Sequence, residues 1–259
     1  IATRAWQLYA AKFSGGALDG DAQKLWDGTS DYDPAPIAVT GSKVIWQVMP
    51  ALSGKKTTES SVCYLWNVGD KDAHKVIESP GRFAIKPTIS NGNVILAPRV
   101  HADEGTFYGV TAYTASDNMS SQVDQLVLPA SVKPFRATRV GDKFLVSIEA
   151  SYSSGGLLSK MGTCIGTRSG DFVKVEREPS ECPAGKDGLY LIKSRSSYMV
   201  VDTKNQKYST LLSIDRSVDY GEFPARCGDT DLFVTFATVK DPDTGYPASV
   251  TVRAFRLGV

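Results

Sequence analysis

The chain has 259 residues, 42% of them hydrophobic, with 29 basic against 28 acidic side chains and a net charge of +1. So even a balance offers no basic face to hold a phosphate backbone, which argues against a nucleic-acid partner. No apolar run approaches the length of a membrane span, and no linker, charge block or low-complexity tract divides the chain, so one domain over residues 1–259 is expected.

Taken in chain order, the first element is an apolar stretch, Trp6 to Lys12, which fits a strand; Ala5 to Phe13 also fits a short helix. A polar loop leads to PAPIAVTGSKVIWQV from Pro34, and a further apolar strand follows at Val62 to Trp66. The same succession then recurs. KPTISNGNVILAP from Lys86 precedes Val110 to Tyr113, and Val123, Leu126 and Leu128 follow among polar neighbours. KPFRATRVGDKFLVSI from Lys133 precedes Val173 and Val175, which stand between charged residues. CPAGKDGLYLIKS from Cys182 and FPARCGDTDLFVTF from Phe223 complete the series, and Val250 to Phe255 is the last candidate strand.

Each copy places a proline where no ladder hydrogen bond is lost. A glycine follows where a tight hairpin needs positive φ, then a burst of β-branched and aromatic residues. Short strands repeated every 40 to 50 residues or so are the sequence form of a β-propeller. The expected fold is all-β: a single propeller of four-stranded antiparallel blades, its ring closed by pairing the chain termini. Five inner-strand pairs give five blades. Six candidates for the third strand, counting both Trp6 to Lys12 and Val250 to Phe255, keep a six-bladed ring as the alternative.

The four cysteines, Cys63, Cys164, Cys182 and Cys227, include no CxxC pair and accompany only two histidines, which argues against zinc. They are either buried thiols or include one disulfide, Cys164 with Cys182, stapling a strand to the loop after it. Lys86, Arg136 and Arg226 lie at similar places near the starts of inner strands and are the candidate ligand-binding set, a positive ring at one mouth for a carboxylate or an acidic loop. Trp6, Trp26, Trp46 and Trp66 recur every twenty residues; packing between blades explains them better than a sugar-stacking ladder. The segment Asp241 to Gly245 has part of a calcium loop but lacks its terminal glutamate, and a hairpin turn explains it as well. No G-x-S-x-G nucleophile motif and no phosphate loop is present, and no cofactor is expected.

Two family resemblances follow from the cores. Gly41, Gly92, Gly141, Gly188 and Gly228 stand where TolB-like propellers of the Tol system carry their hairpin glycine, and the likeness spans most of the chain. It implies an interaction module, periplasmic in that family, or the non-catalytic propeller of a larger enzyme. SDYDPAPIAVTGSKVIW also resembles the first-blade motif of five-bladed arabinanase- and xylosidase-type glycosidases, which implies Asp33 as general base. SECPAGKDGLYLIKS is similar to their acid motif and implies Glu181 as general acid, although the second-blade aspartate of that family falls at Thr88.

The expected function is therefore a non-catalytic, exported propeller that binds a protein or a small acidic or sugar ligand at its mouth, as a monomer. The alternative is a glycosidase-like hydrolase using Asp33 and Glu181. Loops rich in Gly, Ser, Thr, Asn and Asp point to an extracytoplasmic location, and the start at Ile1 fits a signal peptide already removed.

Overall fold

A computed structural model describes residues 5–33, 36–51, 59–81, 86–97, 99–102, 105–129, 132–151, 161–170, 172–177, 185–186, 188–193, 197–213, 218–219, 225–226 and 232–256. Among them every regular element is a strand. The first two, β1 (Trp6–Ser14) and β2 (Ala17–Gly28), form a long antiparallel hairpin of their own. The helical reading of residues 5–13 gives way because Trp6, Leu8 and Ala10 alternate onto one packed face, the period of a strand. Gly28 is required here. The Trp6 indole lies over it, and a Cβ at this position would meet ring atoms at 2.1 Å.

Five multi-stranded sheets follow in sequence, each holding one copy of the repeat. Sheet I contains β3 (Tyr32–Asp33), β4 (Ile37–Thr40), β5 (Lys43–Pro50), β6 (Ser60–Asn67) and β7 (His74–Pro80), with β3 and β4 both on β5. Sheet II contains β8 (Thr88–Ser90), β9 (Asn93–Leu96), β10 (Arg99–Ala102), β11 (Gly105–Thr114) and β12 (Gln122–Val127), where β9 and β10 pair with successive halves of β11. Sheet III is β13 (Val132–Val140), β14 (Lys143–Ser151), β15 (Gly162–Thr167) and β16 (Val173–Glu176). Sheet IV is β17 (Gly185–Lys186), β18 (Leu189–Lys193), β19 (Ser197–Asp202) and β20 (Lys207–Ser213). Sheet V contains β21 (Val218–Asp219), β22 (Ala225–Arg226), β23 (Leu232–Lys240) and β24 (Pro247–Arg256).

All ladders between the named strands are antiparallel, and the turns after β4, β8, β13 and β17 carry Gly41, Gly92, Gly141 and Gly188 where the sequence puts them, while Gly228 lies outside the described residues. At Asn91-Gly92 both central residues have positive φ, +48° and +72°, as the tight turn that matches strand twist demands. In sheets I to IV the second and third strands are buried and the fourth strands more exposed: Ile45, Trp46, Cys63 and Leu65 are inaccessible, whereas β20 is almost wholly in solvent; in sheet V the third strand, β24, is exposed. Short β3 and β21 do the same job at opposite ends of the repeat series, each pairing with the far end of a second strand, Asp33 with Met49 and Asp219 with Thr238.

The core is divided into seams between consecutive sheets. The β1–β2 hairpin and sheet I share Leu8, Val44, Trp46, Val48 and Trp66. Ile45, Leu65, Val94 and Leu96 join sheets I and II. Val110, Leu128, Phe144 and Val146 join II and III. Leu145, Ile165, Tyr190 and Val201 join III and IV. First strands neighbour one another in order, β4 by β8, β8 by β13 and β13 by β17. Polar links cross the seams as well. Thr88 Oγ1 donates to the Ala137 carbonyl at 2.9 Å. The Tyr190 hydroxyl lies 3.1 and 3.2 Å from the carbonyls of Val140 and Lys143. Arg139 Nε and Nη2 both donate to Asp124 Oδ2, at 3.2 and 3.0 Å, while the guanidinium lies over the Phe144 ring. Among the described residues β24 pairs only with β23, and neither β1 nor β2 pairs with sheet V, so the expected pairing of the chain ends is not among the ladders seen.

Candidate functional site

Register decides where the expected mouth residues stand. Counting back from the hairpin that closes each first strand, Lys86 is four residues before Ser90 and Arg136 four before Val140, the same step of successive sheets. Both are half-buried. The Lys86 backbone has φ +45°, and its N–H donates to Gln47 Oε1 of sheet I at 3.1 Å. Gln47 and Ser147 occupy one matched step on the second strands and are fully buried, as are Thr88 and Thr138 on the first strands, apart from slight exposure of Thr88. Buried polar side chains thus stand at matched steps of sheets I to III, and the half-buried Lys86 and Arg136 come two residues before Thr88 and Thr138. Arg226 stands elsewhere in register. It lies opposite Phe233, the second residue of β23, as Arg139 lies opposite Phe144, the second residue of β14. Only its backbone is among the described parts of that residue.

Asp33 is half-buried in β3, paired in the ladder with Met49 at the same end of sheet I. Glu181 lies outside the described residues, as does Cys182. Cys164 carries a free thiol, buried in the middle of β15, and Cys63 a second one in β6. Burial pushes the Cys63 thiol far above the ordinary thiol range and raises that of Cys164.

The tryptophans are packing residues. The Trp26 and Trp46 rings stand edge to face at 6.1 Å, and Tyr64 lies 4.5 Å from Trp26 and 5.7 Å from Trp46. In the Asp241 to Gly245 segment, Asp241 Oδ1 accepts hydrogen bonds from the Asp243 and Thr244 N–H groups at 3.0 and 2.8 Å and from the Thr244 hydroxyl. Those bonds, the Thr244 N–H foremost, hold its carboxyl below the usual range. The oxygens that suggested calcium close a turn instead. His74 Nε2 contacts Asp70 Oδ2 at 3.0 Å, within a turn whose main support is the Asn67 amide.

A concavity that sequence reasoning did not anticipate lies between sheets III and IV, a cleft of about 610 Å³. Ile165, Val173, Val175 and Val201 line it together with Lys143, Lys174, Lys207 and Asp202. The signal for it was present in the repeat itself: the turns joining third and fourth strands differ in length, seven residues between β11 and β12 against four between β19 and β20.

Meandering antiparallel sheets joined seam to seam, with first strands neighbouring in series, are the geometry of a propeller. Structural comparison gives the same answer. The chain is similar to the β-propeller domain of the Trilobed protease from Pyrococcus furiosus, with a TM-score of 0.52 and 11% identity over 97% of this chain and 78% of that one. The fold is a β-propeller. A second likeness is to Pyrococcus horikoshii acylaminoacyl peptidase, with a TM-score of 0.51 and 12% identity over 97% of this chain. The propeller chain spans 42% of that peptidase's length. No family model matches the sequence, and no curated protein does.

Proposed function

We propose that this propeller is a non-catalytic binding module: one domain of five blades, exported and monomeric, that takes an acidic protein segment or small acidic ligand at the mouth where the first strands begin. The observation that carries the reading is the repeated cation. Lys86 and Arg136 come at one step of adjacent blades, two residues before the buried Thr88 and Thr138, with Gln47 and Ser147 buried on second strands. Cations repeated by a blade-to-blade symmetry converge toward the axis, and convergent cations with polar neighbours suit carboxylates. In this proposal the β1–β2 hairpin lies against the first blade and the ring is joined there by packing.

Calorimetric titration with hexaglutamate tests the proposal. Saturable binding is expected, weaker at 300 mM than at 50 mM salt because part of it is screened Coulomb attraction. Neutralising Lys86→Gln or Arg136→Gln is expected to weaken it by roughly three- to tenfold each, about 1 kcal/mol. Binding that ignores both substitutions would remove the mouth from consideration.

A further inference from the structure

One lysine position occurs in two seams with opposite fates. Lys43 and Lys143 are each the first residue of a second strand, paired in the ladder with Asn67 and Thr167 at the ends of β6 and β15. In the seam between sheets I and II, the long turn after β11 reaches across. Its Asn118 Oδ1 accepts a hydrogen bond from Lys43 Nζ at 2.8 Å, and Asn67 Oδ1 accepts another. The next residue, Met119, is held at φ +64° and buries its side chain in the cluster of Ile45, Cys63, Leu65, Val94 and Leu96. That seam is plugged by an acceptor followed by an apolar side chain.

Among the described residues, the seam between sheets III and IV has no such plug. The turn after β19 is the short Thr203–Gln206, and Asp202 spends its carboxylate inside it, on the Lys204 and Asn205 N–H groups at 3.0 Å and the Asn205 amide at 2.7 Å. What remains is the 610 Å³ cleft. Lys174 is tied to the Met161 carbonyl at 2.7 Å. Among the described residues, no acceptor is bonded to the ammonium groups of Lys143 or Lys207, which face the same cleft. Apolar side chains beside lysines, with the lining Asp202 carboxylate engaged in its own turn, in a volume within the usual range for ligand sites, call for an anionic and apolar occupant.

We propose that this cleft docks a short acidic–apolar segment of a partner protein, an aliphatic or methionine side chain seated on Ile165, Val173, Val175 and Val201 with a carboxylate against Lys143 and Lys207. The Asn118-Met119 plug of the other seam, an acceptor for a lysine followed by an apolar side chain, is the chain's own template for the interaction. The cleft is distinct from the mouth. It opens at the hairpin end of the strands, where Lys143 begins β14, whereas Arg136 lies opposite Ser147 further along.

The test is calorimetric titration with the capped hexapeptide Asp-Asp-Met-Leu-Asp-Asp, beside Asp-Asp-Ser-Ser-Asp-Asp, with the thermal midpoint of every variant checked. Saturable binding of the first peptide is expected, at least tenfold tighter than of the second. The double variant Lys143→Gln/Lys207→Gln is expected to weaken it tenfold or more. Lys43→Gln, the matching position in the plugged seam, leaves it unchanged. The proposal is overturned by an absence of saturation at millimolar peptide. Full affinity in the double variant overturns it too, placing the peptide elsewhere. Equal affinity for the serine peptide also overturns it, reducing the cleft to a general anion site.

Discussion

Replacing Met119 tests the plug directly. The side chain is 6% exposed and belongs to the cluster joining sheets I and II. Met119→Ala removes three heavy atoms beyond Cβ, worth about 2.4 kcal/mol at about 0.8 kcal/mol per buried group. A residual cavity raises the loss to about 3 kcal/mol. For a chain of this size each kcal/mol moves the midpoint by about 2–4 °C, so a fall of about 6–12 °C is expected in a circular-dichroism melt. Met119→Gly separates packing from backbone. It removes one carbon more, but φ +64° is a conformation that glycine adopts freely and alanine does not. The two variants should therefore melt within about 2 °C of each other, whereas glycine would be clearly worse at a position with negative φ. A fall below about 2 °C for Met119→Ala would refute the idea that this turn seals the seam.

Further outcomes follow from the other seams. Asp124 and Arg139, 13% and 15% exposed, pair across sheets II and III, and Asp124→Ala should cost about 3 kcal/mol in a urea titration because it strands a buried guanidinium. The double variant with Arg139→Ala should cost clearly less than the sum of the single changes; strict additivity would mean that the pair does not interact. Tyr190→Phe leaves packing intact and removes the hydroxyl facing the Val140 and Lys143 carbonyls, for a loss of about 1 kcal/mol; a neutral result would show those contacts to be idle. Burial raises the Cys63 and Cys164 thiols, so the native thiolate fraction at pH 8 is smaller than for a free cysteine. Iodoacetamide should label both only after denaturation, and rapid native labelling would contradict their placement. Incubation with arabino- and xylo-oligosaccharides should release no reducing ends; release abolished by Asp33→Asn would instead establish the glycosidase reading.

The parts of the fold legible in sequence are those set by local chemistry. Gly41, Gly92, Gly141 and Gly188 all have positive φ at the predicted hairpins, because a turn that reverses the chain there admits few other residues. The tryptophan spacing likewise led to packing. Residues 5–13 stayed ambiguous because their strand identity comes from β2 and from the seam with sheet I, partners distant in sequence. Arg226 looked equivalent to Lys86 and Arg136 by its place near the start of an inner strand, whereas its ladder partner is Phe233. The unequal turn lengths carried a signal for the cleft, but what a turn fills or leaves open shows only when Lys43 and Lys143 are superposed through the repeat.

All four tryptophans lie along the seam between the first hairpin and sheet I. The indole fluorescence of the chain is therefore a local gauge. Its emission reports whether the β1–β2 hairpin is docked and says little about sheets III to V. A shift in emission that precedes the loss of far-ultraviolet ellipticity would mark the hairpin peeling away while the remaining blades stay folded.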